Sequence, residues 1–369
     1  MKTRSIIALI LFCLACTPRQ SSDEEVLALV KDFQKKYYKE LFVLDVSLGF
    51  FKFLVNESYI YICDQKHGHI DIFSRKNGAK VKTFGEKGEG PGSFINIFDI
   101  RCQGDKLYIC SFGKLSIYTE KGELVKEIRS TVSYTCYDYI PIAENFVTKR
   151  LDWSKIDKKT VSEVYCLLDP TLKNKKDLLW IPFKYYTYPD KSKTAFLIYQ
   201  PCRRGEVYKD RLYLGSTDLG FYIAVFDSNG NKLYEINRDD EKIRVTDSIK
   251  NRMINAYKTI LGDNFADFAR KREFEAPEFI PAFMDFFIHN DRIYVIKFPL
   301  PGSKTVTEAL LLDLKGNTLA KRMIPLGNLY KLIEEKYTSF YNGKLYFISP
   351  TEDDENTRIT VLDLEAIFK

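Results

Sequence analysis

One short pattern recurs along the 369 residues and constrains the fold more than any other feature. Polar turn residues are followed by aliphatic-Tyr-aliphatic, at Ile60-Tyr61-Ile62, Leu107-Tyr108-Ile109, Leu212-Tyr213-Leu214, Ile293-Tyr294-Val295 and Leu345-Tyr346-Phe347. Before them stand Asn56-Glu57-Ser58, Gly104-Asp105-Lys106, Lys209-Asp210-Arg211, Asn290-Asp291-Arg292 and Asn342-Gly343-Lys344, and Glu144-Asn145-Phe146-Val147 is a degenerate sixth copy. Each reads as a tight hairpin turn entering a strand. A second strand follows, often closed by Asp, as at Asp169, Asp227, Asp313 and Asp363. Gly78, Gly122, Gly230 and Gly316 then turn the chain into a further strand. With a strand before each first turn, the unit has four antiparallel strands. Repeats of about 40–50 residues built this way are propeller blades. Six copies predict an all-β fold, a six-bladed β-propeller.

The composition agrees: Phe and Tyr number 27 and 24 against four Met and two Trp, a bias toward pleated, half-buried surfaces. The sixth unit lacks a fourth strand, while residues 41–48 form a strand-like run belonging to no unit. Pairing that run with the last blade would close the ring and hide two sheet edges. Ahead of it, residues 23–40 carry Val26, Val30, Phe33 and Tyr37 at helical spacing, with Ser22 as a cap. A helical insertion at about residues 247–272 separates blades 4 and 5. Met253, Ile254, Tyr257, Ile260 and Leu261 trace its apolar face, Gly262 interrupts it, Phe265 and Phe268 resume it, and Ala276-Pro277 ends it.

The first residues form an address. Lys2 and Arg4 precede an apolar run at residues 6–14, too short for a spanning helix but suited to a signal-peptide core. The order Leu14-Ala15-Cys16, followed by Thr17-Pro18-Arg19-Gln20-Ser21-Ser22, resembles a bacterial lipobox, with Cys13 where Leu is usual. The expectation is a signal peptide at residues 1–15, lipidation of Cys16, and a tether and helix at residues 16–40 ahead of a propeller at 41–369. An ordinary secretory signal is the alternative. Either reading takes the protein out of the cytoplasm; the lipidated one places it at the cell envelope, where Thr17 rather than Asp after the anchor favours the outer membrane. Of the eight cysteines, Cys63, Cys102, Cys110, Cys136, Cys166 and Cys202 remain beyond the address. No CxxC occurs among these six, and several lie in apolar strand runs, so buried thiols are expected for most of them.

Residues 60–94 resemble an NHL-type repeat, as found in the exported six-bladed β-propeller lipoproteins of bacteria. The resemblance rests on Ile60-Tyr61-Ile62 with Asp64, on Ile70-Asp71-Ile72-Phe73, and on Gly78. It continues through Phe84-Gly85 and Gly88-Glu89-Gly90-Pro91-Gly92-Ser93-Phe94. Ile95-Asn96-Ile97 stands where that repeat usually carries a proline. Beyond this blade the resemblance is diffuse, and it implies fold more than activity.

Specific chemistry is sparse. Positive charge is scattered, 56 Lys and Arg among 50 acidic residues, with no basic stripe, which argues against nucleic acid. The glycine-rich loop at residues 85–92 lacks the Lys-Ser/Thr of a P-loop and carries Glu86 and Glu89, so a structural inter-blade turn is expected. The three histidines divide between faces. His67 and His69 fall in a turn between the second and third strands of a blade, whereas His289 falls beside a turn between first and second. They cannot share one catalytic zinc. A site of His67, His69 and Asp64 is the alternative to ordinary turn residues, and no metal or cofactor is expected. No Gly-x-Ser-x-Gly elbow is present. The acidic run at residues 352–355 reads as solvated loop charge.

The candidate ligand surface is aromatic and basic: Trp153, Tyr185, Tyr186 and Tyr188, with Arg203 and Arg204. All occupy connections that strand order places on the face of the helical insertion. Rings supply buried area and guanidinium groups donate hydrogen bonds, which suits glycans or peptides. The alternative is that the rings cover a blade edge. The expected function is a non-catalytic binding or scaffold module for a glycan, peptide or protein partner at the envelope. An envelope lyase or hydrolase using carboxylates at the propeller mouth is the runner-up.

Overall fold

The structure is a computed structural model that describes residues 31–33, 35–46, 51–129, 138–152, 160–184, 194–199, 201–261, 265–299, 306–326, 337–351 and 356–369. Six four-stranded antiparallel sheets follow one another around a ring. In blade 1 the strands, from the axis outward, are Phe51–Val55, Tyr59–Asp64, His69–Ser74 and Lys80–Phe84. The chain is a six-bladed β-propeller. Each aliphatic-Tyr-aliphatic segment is the second strand of its blade, and each Asp-closed segment is the third.

Position within the blade explains composition. A second strand has blades on both sides, so Ile60, Tyr61, Ile62 and Cys63 are all at most 1% exposed and read as an unbroken apolar run. The outer strand Lys80–Phe84 is exposed except at Phe84. The motif tyrosines reach across the seams: the Tyr61 hydroxyl donates to the Glu120 carbonyl of blade 2 at 3.0 Å, and Arg75 of blade 1 donates to the Tyr346 hydroxyl of blade 6 at 3.3 Å. Six apolar clusters of buried side chains fill the six seams.

Closure is made by the strand Tyr38–Leu44, which pairs antiparallel with the third strand of blade 6, Thr357–Asp363. The seam it completes copies the others. At Gly78 of blade 1 a Cβ would lie 2.8 Å from Phe42 of the closing strand. At Gly122 of blade 2 it would lie 2.6 Å from Phe84, the outer strand of blade 1. Both glycines have positive φ, so the turn needs them for conformation and for the close approach of a neighbour. Phe42 thus occupies the place that Phe84 takes one blade on.

The expected boundary between helix and strand moves. Residues 31–33 and 35–37 are helical, but the strand begins at Tyr38 rather than residue 41 and ends at Leu44 rather than 48. Tyr38 pairs with Leu362 and packs its ring toward Phe347, a tertiary contact that outweighs the local helical spacing. The insertion forms two helices, α1 (Asp247–Leu261) and α2 (Phe265–Arg270), and then a strand, Arg272–Glu275. That strand pairs in parallel with Thr194–Leu197 from the connector after blade 3. The adjoining Ile198 and Tyr199 are buried in the blade 5–6 cluster with Ile249 of α1. The connector and the insertion are therefore parts of one accessory layer. No helix among the described residues is long and apolar enough to cross a membrane.

The glycine-rich loop is an inter-blade turn closed on itself. Phe94 donates its N–H to the Glu86 carbonyl at 2.7 Å and is fully buried. A cation, not an anion, caps it, since Lys114 donates to the Gly90 carbonyl at 2.8 Å. Of the five described cysteines, Cys63, Cys110, Cys166 and Cys202 are buried and Cys102 is half-buried. Burial pushes the Cys166 thiol up to about 12. Cys136 lies outside the described residues.

Candidate functional site

The six inner strands enclose a cavity of about 780 Å³ on the propeller axis, lined from every blade. Its wall is charged. In blade 2, Asp99 and Arg101 are two residues apart on Ile97–Gln103, so both project from the same face of the strand. Arg101 Nε donates to Asp99 Oδ2 at 2.8 Å, and a terminal nitrogen donates to the Gly205 carbonyl of blade 4 at 3.2 Å. Blade 4 repeats the spacing with the order of charges reversed. Arg204 Nε donates to Glu206 at 2.6 Å, and Arg204 reaches on to Asp285 Oδ2 of blade 5 at 2.8 Å. The Arg204 guanidinium also lies 4.7 Å from the centre of the Phe287 ring. Lys52 and Glu57 of blade 1, Glu120 of blade 2, Asp138 and Lys149 of blade 3 and Arg203 of blade 4 complete the charged lining.

Burial opposes ionisation of these bases, but their neighbours prevail. Asp99, Glu206 and Asp138 hold Arg101 more firmly protonated than usual. Asp285 and Glu206 do so for Arg204, as Asp138 and Glu163 do for Lys149. The lining carries both signs of charge, interleaved.

One corner is under-satisfied. Lys149 Nζ meets Asp138 Oδ2 only at 3.5 Å, long for a hydrogen bond. Asp138 Oδ1 is buried with no hydrogen-bond partner among the described residues, as is the hydroxyl of fully buried Tyr165, whose ring lies 5.9 Å from Lys149 Nζ. Buried polar atoms are seldom left unpaired, so such a group calls for an explanation.

Of the residues of the candidate ligand surface, Arg203 and Arg204 fall within the described structure. Arg203 opens the inner strand of blade 4 and donates to Asp218 at 2.7 and 3.0 Å. Arg204 lines the cavity, fully engaged by Glu206 and Asp285. Cys16, Trp153, Tyr185, Tyr186, Tyr188 and the acidic run at 352–355 lie outside the described residues. Sequence reading passed over Asp99, Arg101, Asp138, Lys149, Glu206 and Asp285. The signal was present in Asp99-x-Arg101 and Arg204-x-Glu206, opposite charges at the spacing of one strand face, in the strand that opens a blade.

Residues 51–176, spanning blades 1 and 2 and most of blade 3, match the model of a family described as 6-bladed beta-propeller. Among solved structures, a Bacteroides fragilis protein described as a candidate exported protein aligns at 11% identity and a TM-score of 0.48, covering 88% of this chain and 95% of that one. The WD40 domain of Pan2 from Neurospora crassa aligns at 8% identity and a TM-score of 0.44, with the same two coverages. No curated protein matches the sequence.

Proposed function

We propose that this chain is an exported, lipid-anchored propeller of the bacterial envelope that binds a short peptide segment in its central channel and does not turn it over. The observation that carries the reading is the under-satisfied pair of Asp138 and Lys149, in a wall where Arg101 and Arg204 are each held by carboxylates. A peptide end or zwitterionic side-chain pair supplies what this corner lacks, an N–H or ammonium for Asp138 and a carboxylate or carbonyl for Lys149. A neutral glycan would leave the bases and acids without charged partners. A polyanionic glycan would meet Asp99, Asp138, Glu206 and Asp285 at close quarters. Asp99, Glu206 and Asp285 are each committed to an arginine, which suits recognition better than proton transfer.

Export and anchoring rest on the basic, apolar, Leu-Ala-Cys order ending at Cys16 and on the NHL-type resemblance of residues 60–94. The contact surface extends to Trp153, Tyr185, Tyr186 and Tyr188. Their segments leave the blades after Asp152 and Lys184, strand ends on the same side of the ring as Arg203.

Affinity selection from a defined mixture of short peptides and neutral and acidic oligosaccharides tests the ligand class. Retention of peptides is expected. Retention of oligosaccharides alone, or of nothing, contradicts the reading. For the anchor, a palmitate analogue should label the wild type and not Cys16→Ser, and equal labelling of both would refute it.

A further inference from the structure

Away from the channel, the turn between the second and third strands of blade 1 gathers a different chemistry. Asp64 ends one strand and His69 begins the next as its cross-strand partner, while His67 stands in the turn between them. We infer that Asp64, His67 and His69 form a surface site for one transition-metal dication of the zinc class.

Each of the three offers one donor atom, and these atoms all lie within 4.8 Å of one another. The turn is locked before any ion arrives. Gly68 has φ +70° and donates its N–H to the Asp64 carbonyl at 2.8 Å. A Cβ at Gly68 would come within 2.7 Å of Lys87 Cα and of the Phe94 carbonyl oxygen, so the turn is seated against the glycine-rich inter-blade loop. The Asp64 carboxylate accepts the His67 N–H at 2.9 Å, and its other oxygen lies 2.6 Å from His67 Nδ1. The two imidazoles run nearly parallel, with ring centres 6.0 Å apart. Little reorganisation is needed to bring two nitrogens and one oxygen onto one ion.

The environment favours a cation further. Buried Asp71 places Oδ2 3.6 Å from His69 Nε2, a carboxylate beside a ligating imidazole of the kind that orients metal-binding histidines. Asp71 is itself fixed by Lys80 at 2.9 Å and by the Thr83 hydroxyl at 2.5 Å. The His67 side chain is 58% exposed, so an ion can enter from solvent. Two imidazoles and one carboxylate select zinc, copper, nickel or cobalt over calcium and magnesium, which prefer all-oxygen shells. Three protein ligands leave a coordination position for water or for a donor from a partner. His289 takes no part, because it ends the inner strand of blade 5 beside a turn of the opposite face.

The test uses untagged full-length protein, so that no affinity-tag histidines compete. Titration with Zn²⁺ by calorimetry, and with Co²⁺ by visible absorption, should show one tight equivalent at neutral pH. His67→Ala should weaken that equivalent by about tenfold or more, the usual cost of disturbing a metal-ligand set. It should leave the melting temperature without metal unchanged, since the ring is mostly exposed. No binding at one equivalent, identical affinity in His67→Ala, or equal response to Ca²⁺ would each overturn the site.

Discussion

Asp285 and Phe286 are neighbours on the inner strand of blade 5, and they face different worlds. Phe286 is fully buried in the seam with blade 4, edge-on to Phe283, which meets Phe221 in the same way. Across that seam Gly215 has no side chain, and a Cβ there would collide with the Phe286 ring. Asp285, one residue away, meets Arg204 at 2.8 Å on the channel wall. Strand alternation thus sends apolar groups into the seam and charged ones to the axis. The seams hold the ring together by excluding water, whereas the channel spends burial on charges that hydrophobic packing could replace. That expense has a structural reason only where the charges are fully paired, and at Asp138 and Lys149 they are not.

The largest effect should come from undoing a whole seam. Deleting residues 38–44 removes the outer strand of blade 6, exposes a sheet edge and empties the contact between Phe42 and Gly78. The expected outcome is a sharp loss of thermal stability with aggregation, read by melting and light scattering. A soluble monomer with an unchanged melting profile would show that closure lies elsewhere. Next in size, Phe286→Ala should cost about 3–5 kcal/mol, as for other fully buried rings, measured by denaturant unfolding. Arg204→Met should cost about 3 kcal/mol, because it strands buried Asp285, and Asp285→Leu added to it should recover much of the loss. If the double variant is no better than Arg204→Met, the channel charges are structural and the contrast between seam and channel fails.

A smaller effect lies at the rim of the same seam. Asp240, after the outer strand of blade 4, pairs with Lys297 of blade 5 at 2.9 Å and Arg238 at 3.1 Å. Burial alone would raise its pKa, but these cations hold it below the usual carboxylate range. A depressed carboxyl adds stability that is complete above its ordinary pKa and is lost as pH falls through the depressed value. Melting temperature followed from pH 5 downward should drop more gently in Asp240→Asn below about pH 4. Parallel acid limbs would remove this bridge from the account.

The blades were legible because each repeat announces itself locally. A polar turn, Ile60-Tyr61-Ile62, a second strand and Gly78 need no distant partner to be read. The closing strand was legible in kind but not in extent. Tyr37 and Tyr38 fit helical spacing equally well, and only pairing with Leu362 ends the helix between them. The channel was not legible. Asp99, Asp138, Arg204 and Asp285 lie far apart in sequence and read singly as ordinary strand charges until the ring brings them to one axis. In sequence Arg204 follows the connector that carries Tyr185, Tyr186 and Tyr188, whereas in the ring it is engaged by Glu206 and Asp285.

Recognition by the channel charges should depend on Lys149 and Asp138 more than on any other pair. The most direct measurement takes the peptides retained by the wild type and compares their affinity for Lys149→Gln with that variant's melting temperature. Lys149 is only loosely paired with Asp138 and Gln keeps a donor there, so the stability cost should stay below that of Arg204→Met, at about 1–2 kcal/mol. Its loss should weaken peptide binding about tenfold, the size of one charge-assisted contact. Unchanged affinity, or affinity that falls only as the protein unfolds, would contradict the account.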